Sequence, residues 1–106
     1  MSYKLQFVQE FTESGRDIFL ELEEKFAALE LTEEGFFRGK RWVSYIGQFP
    51  NNTFVWECEF ATLEEAIKAL QTLKANTSHE DLFALQNQYF VRSYTNIFMS
   101  VCAPKK

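Results

Sequence analysis

Residues 53–66 read TFVWECEFATLEEA, and this stretch decides the fold. Its first eight residues alternate between large apolar side chains on one side and mostly charged or small ones on the other, as expected for a strand with one buried face. Thr62 and Glu65 then form a capping box, in which two side chains satisfy free backbone N–H groups at a helix start. The stretch therefore predicts a half-buried strand that leads directly into an amphipathic helix with the apolar positions Leu63, Ala66, Ile67, Leu70 and Leu73.

The same two periodicities extend outward from this stretch. Toward the N-terminus, residues 3–11 alternate like a strand, residues 18–29 repeat apolar side chains at helical spacing, and residues 36–49 are extended. Toward the C-terminus, residues 78–89 open with a helix start, and residues 91–102 form a last strand. The element order is strand, helix, strand, strand, helix, short helix, strand.

This order predicts an α+β fold, the ferredoxin-like βαββαβ sandwich, with one antiparallel sheet covered by helices on one face. The length of 106 residues, 46% of them hydrophobic, fits one domain over residues 1–106. In the hairpin we expect Phe49 opposite Thr53, a register that places both Trp42 and Trp56 in the core.

Charge and composition exclude several classes of partner. The net charge of −4 argues against nucleic acid and anionic membranes. An RNA-binding sheet of the same topology is also disfavoured, because Glu57 and Glu59 stand where phosphates would pass. No apolar run could cross a bilayer and no signal peptide is recognisable, so a soluble cytoplasmic protein is expected. Cys58 and Cys102 are expected to be reduced buried thiols.

The uncovered face of the predicted sheet needs its own partner. Its apolar side chains would form a patch larger than soluble monomers usually expose. We therefore expect a homodimer in which two open sheet faces pack together and the polar residues among them line a partly enclosed interior. The residues assigned to this face are Gln6, Val8, Glu10, Val43, Tyr45, Phe49, Val55, Glu57, Glu59, Tyr94 and Phe98.

Residues 45–52, 54–60 and 62–66 resemble the dimeric α/β-barrel superfamily, and more narrowly its NIPSNAP-like and antibiotic-monooxygenase-like branches. The resemblance implies the fold, the dimer and a pocket at the sheet for a small apolar or aromatic molecule. Haem-degrading members use an Asn on the first strand, a Trp and a helix His. Gln6 holds the first position here, and His79 follows Trp56 at a longer interval, so no haem or other cofactor is expected.

The candidate ligand-binding residues are polar or aromatic side chains near the dimer interior: Gln6, Tyr45, Glu57, Arg92 and Tyr94. Glu57 is the strongest candidate for a functional role among them, because burial could raise its pKa and make it a general base. The alternative is structural. Glu59 would then pair with Arg41 across the hairpin, and Glu57 would meet solvent, Tyr45 or Arg92.

No motif identifies a reaction or a catalytic residue. His79, the single histidine, is expected to be exposed at a helix start, and no Cys–His spacing indicates a metal site. Three functions stay open: binding of a small apolar or aromatic molecule, a cofactor-independent monooxygenase, or a non-catalytic dimerisation module. A closed cavity would favour the first two, and a filled interior would favour the third.

Overall fold

The computed structural model describes residues 1–101, so Cys102 and the tail 103–106 lie outside it. Four strands and three helices follow one another, with a short 3-10 turn before the first helix. In chain order they are β1 (Tyr3–Phe11), α1 (Arg16–Thr32), β2 (Lys40–Val43), β3 (Thr53–Phe60), α2 (Leu63–Ala75), α3 (Thr77–Asn87) and β4 (Phe90–Met99).

The strands form one antiparallel sheet in the order β2-β3-β1-β4. This is the predicted ferredoxin-like α+β arrangement, in which the two longest strand pairings are those of β1 with β3 and with β4. Every second side chain on β1 and β3 points toward the helices, and most of these are buried, while the intervening side chains form an outer face. We call these the helix side and the outer face of the sheet.

The helix starts follow from the caps in the sequence. The Thr62 hydroxyl accepts from the Glu65 N–H at 3.1 Å, which confirms Thr62 as the predicted helix cap. The Glu65 carboxylate accepts from the Thr62 hydroxyl at 3.0 Å rather than from the Thr62 backbone N–H, so only the Thr62 half of the predicted capping box is formed. Asn76 both ends α2 and caps α3, where its side-chain oxygen accepts from the His79 N–H at 2.8 Å. α3 therefore begins at Thr77, one residue before the expected start.

The core lies on the helix side and is largely aromatic. Phe19 of α1 is fully buried and contacts Phe11, Phe54 and Phe90, with ring centroids 4.8, 5.5 and 5.7 Å away. Burying such rings is the main source of stability in a domain of this size. The other buried apolar residues of this cluster are Leu5, Trp56, Phe60, Ala66 and Ala69.

The expected hairpin is wrong in both extent and register. β2 covers only Lys40–Val43, and Trp42 pairs with Val55 on the outer face, where its side chain is 56% exposed. Val43 consequently lies on the helix side, opposite Phe54, and the segment from residue 44 to residue 52 is a loop. The difference between the two registers is an odd number of residues, so every side chain of β2 changes face.

Two features on the helix side account for this register. Gly39 lies so close to the Trp56 indole that a Cβ there would overlap the ring. The next residue on the same side, Arg41, is held by carboxylates of α1. The ion pairs of Arg41 thus determine which residues of β2 face the helices, and the apolar Trp42 consequently lies on the outer face.

Candidate functional site

A cavity of about 140 Å³ lies between the three helices and the helix side of the sheet. An apolar cavity of about 150 Å³ is large enough for one benzene ring. The walls are mainly aromatic and come from β1, α1, the α1–β2 connection, β3 and α3. The rings that line the cavity belong to Phe7, Phe26, Phe36, Phe54, Trp56 and Phe83.

A cluster of charged side chains forms one wall of this cavity. Arg41 donates from Nε to Glu23 Oε1 at 3.1 Å, from Nη1 to Glu30 Oε1 at 3.1 Å and from Nη2 to Glu30 Oε2. Glu30 also accepts from the Gly39 N–H at 2.8 Å and from the Trp56 indole N–H at 3.3 Å. Burial alone would lower the pKa of Arg41, but Glu30 and Glu23 outweigh it and raise that pKa.

Glu23 is the carboxylate of the cluster that Gln86 also contacts, and its side chain is about as buried as that of Glu30. The residue is only 7% exposed, and burial raises its pKa, against the lowering effect of hydrogen bonds from Gln86 and Arg41. Gln86, fully buried on α3, donates from Nε2 to Glu23 Oε2 at 2.7 Å and to the Phe19 carbonyl at 3.3 Å. Since both partners are acceptors, the amide orientation of Gln86 is determined, and its Oε1 is a genuine acceptor.

His79 also lines the cavity, and the expectation that it is exposed is wrong. Its ring packs against Phe26 and Phe83, with centroids 5.0 and 6.5 Å away, and burial lowers its pKa. The physical reason is its place three residues after the Asn76 cap, which turns the ring toward α1. The nearest carboxylate oxygen, on Glu80, is 3.9 Å from Nδ1, beyond hydrogen-bond distance.

Three buried polar atoms of cavity-lining residues have no hydrogen-bond partner among the described residues: Gln9 Oε1, Gln86 Oε1 and His79 Nδ1. Buried polar atoms are normally paired, and an unpaired one costs about 1–3 kcal/mol. All three belong to residues that line one cavity, which makes this cavity the candidate site.

The residues predicted from sequence lie elsewhere, on the outer face. Gln6 Nε2 donates to Glu57 Oε2 at 2.8 Å, Asn96 Nδ2 donates to Gln6 Oε1 at 3.2 Å, and Lys4 Nζ is 3.6 Å from Glu57 Oε1. These four side chains form a polar row across the sheet. Glu57 thus meets Gln6 and Lys4 rather than the partners expected for it.

The other three predicted residues are less closely associated with this row. Tyr94 is on the same face beside Val8, whereas Arg92 lies near Glu10, with a charged-group separation of 4.0 Å. Tyr45 is in the β2–β3 loop, away from the strands. A ligand role for all five predicted residues stays a prediction. The expected Glu59–Arg41 pair is wrong, because Arg41 turns inward to the carboxylates of α1.

Sequence reasoning missed Glu23 and Gln86, although a signal for both was present. Glu23 follows Phe19 by four residues and precedes Phe26 by three, which places it on the buried stripe of α1. Gln86 follows Phe83 by three residues on α3. Residue type alone would place Glu23 on the exposed side of the helix, whereas its helical spacing places it on the buried side, where the structure has it.

No protein-family model and no curated protein sequence matches the chain. Solved structures do match. An uncharacterised NIPSNAP-like domain protein from Burkholderia xenovorans is 18% identical, with a TM-score of 0.75 over 98% of this chain and 90% of that one. A NIPSNAP family protein from Agrobacterium tumefaciens is 12% identical, with a TM-score of 0.72 over 94% of this chain and 86% of that one.

An antibiotic biosynthesis monooxygenase is 17% identical, with a TM-score of 0.72 over 94% of this chain and 99% of that one. The chain has the fold of these proteins. The resemblance drawn from residues 45–66 is therefore confirmed at the level of fold. Identities this low carry no activity from one protein to another.

Within residues 1–101, no group of three or more His, Cys, Asp and Glu side chains is arranged to hold a metal ion. None of the three helices is long and apolar enough to cross a membrane.

Proposed function

We propose that the chain binds a small molecule with a single aromatic ring in the cavity between the helices and the sheet. The observation that carries this proposal is that a cavity of about 140 Å³, close to the size that accommodates one benzene ring, is lined mainly by aromatic side chains. A ring inserted there would contact aromatic faces and edges on several sides. Such contacts contribute about 0.5–1.5 kcal/mol per pair beyond the area they bury.

Calorimetric titration with toluene tests the proposal, because toluene has the required ring and no polar group. We expect saturable one-to-one binding. Thr95→Trp should abolish it, since Thr95 lines the cavity and a larger side chain there would fill the space. Gln71→Trp is the matched control, because Gln71 is exposed on α2 and does not line the cavity. Absence of toluene binding, or equal binding by Thr95→Trp, would contradict the proposal.

A cofactor-independent oxygenase is the second candidate function. It is supported by two groups at the cavity that can take a proton from a bound substrate, the Glu23 carboxylate and the uncharged His79 ring. Dioxygen uptake in the presence of phenol tests it. Uptake that exceeds the protein-free rate and is lost in Thr95→Trp would support oxygenase chemistry, whereas no uptake would leave binding as the function.

For the outer face we propose a second copy of the chain as the partner. Trp42, Tyr94 and Phe98 are each at least half exposed there, and they flank the polar row centred on Gln6 and Glu57. Each copy carries both a cation, Lys4, and an anion, Glu57, so two outer faces related by a twofold axis can be self-complementary.

Equilibrium sedimentation at tens of micromolar protein tests the dimer. We expect Val55→Arg and Phe98→Glu each to shift the protein toward monomer, because each would bury an unpaired charge in the interface. Leu85→Glu, an exposed position on α3, is the control and should leave the association unchanged. A monomeric wild type would refute the proposal.

A further inference from the structure

We propose that the ligand of the cavity between the helices and the sheet carries a protonated amino group that Glu23 binds, so that the occupant is a small aromatic amine rather than a neutral or anionic ring. This inference rests on the proposed function, because it concerns the chemistry of the molecule that the same cavity takes. Charge, hydrogen-bonding capacity and the nature of the walls support it separately.

The charge of the cluster is unbalanced. Glu23 and Glu30 share one guanidinium, that of Arg41, and its Nε, Nη1 and Nη2 are all engaged with these two carboxylates. With both carboxylates ionised, the cluster carries one net negative charge next to the cavity. The remaining charged residues of the lining, Lys74 and Glu80, are opposite in sign and cancel. A ligand with one positive charge would neutralise the surplus.

The open hydrogen-bonding positions also require a donor. Glu30 already accepts from Arg41, Gly39 and Trp56, whereas Glu23 accepts from only Arg41 and Gln86 and has unused lone pairs. Gln9 Oε1 and Gln86 Oε1 are buried acceptors without a donor, and Nδ1 of an uncharged His79 can also accept. A primary ammonium offers three N–H donors, whereas an alcohol offers one and a carboxylate none.

The walls favour the same charge. Six aromatic rings line the cavity, and the negative face of an aromatic ring attracts a cation and repels an anion. Removal of water from around the cation strengthens this attraction. Aromatic walls and one underpaired carboxylate together make a cavity selective for a cation that is attached to an apolar ring.

Four ligands of nearly equal size separate the inference from the proposed function: toluene, benzyl alcohol, benzylamine and benzoate. Calorimetry at neutral pH should show benzylamine binding at least about tenfold more tightly than toluene or benzyl alcohol, with benzoate the weakest. If toluene binds and benzylamine gains nothing over it, the inference fails while the proposed function stands. If none of the four binds, both fail.

The variant Glu23→Gln tests whether Glu23 is responsible for the preference for benzylamine. It removes the charge and keeps the shape, so we expect the ratio of benzylamine affinity to toluene affinity to fall to that of benzyl alcohol to toluene. Glu24→Gln, on the exposed side of α1, is the matched control and should not change this ratio. Undiminished benzylamine preference in Glu23→Gln would overturn the assignment.

A second variant keeps the test decisive if Glu23→Gln does not fold, which near-ultraviolet circular dichroism would show. Gln9→Met removes a buried unpaired acceptor from the cavity and leaves the carboxylate in place. We expect it to weaken benzylamine several-fold relative to toluene. Equal benzylamine affinity in Gln9→Met and wild type would then refute the hydrogen-bonding part of the argument and overturn the proposal.

Discussion

Glu23 and Glu57 lie on opposite sides of one sheet and show how the setting of a carboxylate determines its behaviour. Glu23 is enclosed by the helices, and both of its oxygens accept hydrogen bonds, from Arg41 and from Gln86. Glu57 lies on the outer face, where Gln6 donates to one oxygen and Lys4 stays 3.6 Å from the other. The residue type is the same, but only Glu23 is removed from water, and burial raises its pKa.

The apolar residues of the two sides differ in the same way. Phe19 has no exposed surface, whereas Phe98 on the outer face is 50% exposed. Core rings on the helix side are therefore covered within one chain, whereas the large apolar side chains of the outer face are exposed in the single chain. Substitutions that are matched across the sheet can break or sharpen this contrast.

The largest difference is expected between Phe19→Ala and Phe98→Ala. Phe19→Ala should lower the free energy of unfolding by about 4 kcal/mol, because it leaves a cavity among packed rings. Phe98→Ala should cost less than about 1 kcal/mol at low protein concentration. Chemical denaturation over a range of protein concentrations measures both. If the outer face pairs with a second copy, only the cost of Phe98→Ala will grow with concentration.

The next largest effect is expected from Arg41→Met. Its loss leaves Glu23 and Glu30 buried without a cation, and we expect a cost of about 2–3 kcal/mol, somewhat below that of a fully buried pair. Arg92→Met on the outer face is the control. Its nearest carboxylate is that of Glu10 at 4.0 Å, and such exposed pairs contribute about 0–1 kcal/mol. Equal costs for the two variants would mean that the Arg41 cluster is not effectively buried.

His79 should produce a smaller effect that depends on pH. Its folded pKa lies below the ordinary 6.5 because burial disfavours the charged ring. As the pH falls, His79 is therefore protonated in the unfolded chain before it is protonated in the folded protein. The free energy of unfolding consequently decreases as the pH falls from 6.5 through the folded pKa. Glu23, whose pKa is raised, has the opposite sign: its contribution is full below the ordinary 4.5 and is lost as the pH rises through its folded pKa.

Comparing the wild type with His79→Phe isolates the histidine, because Glu23 is present in both. We expect the variant to lose less stability than the wild type when thermal unfolding is measured at decreasing pH below 6.5. Parallel curves for the two proteins would show that the ring is not desolvated in the folded state.

The smallest effect is expected from Glu57→Gln. The amide still accepts from Gln6, and the separation from Lys4 indicates a weak ion pair, so stability should change by less than about 0.5 kcal/mol. Toluene and benzylamine binding should also be unchanged, because Glu57 does not line the cavity between the helices and the sheet. Lost ligand binding in Glu57→Gln, with stability intact, would instead support the outer-face site predicted from the sequence.

Much of the fold could be read from local patterns. The alternation in residues 3–11 and 53–60 predicted β1 and β3, and the capping box at Thr62 predicted where α2 begins. These features follow from neighbouring residues along the chain, so they need no knowledge of distant contacts. The candidate cavity was not predicted, because its charged residues come from α1, β2 and α3 and meet only after folding.

The sequence by itself determined the order of strands and helices, the helix caps and the predominantly aromatic core. Tertiary structure decided which side of the sheet each residue of β2 occupies. Local alternation is equally satisfied by either parity, so Arg41 and Trp42 exchanged their expected sides once two carboxylates of α1 were available to bind the guanidinium. The packing of α1 against β2 and α3 also buries Glu23 beside the aromatic-lined cavity. Burial of this kind depends on which elements pack together, and no single stretch of sequence contains that information.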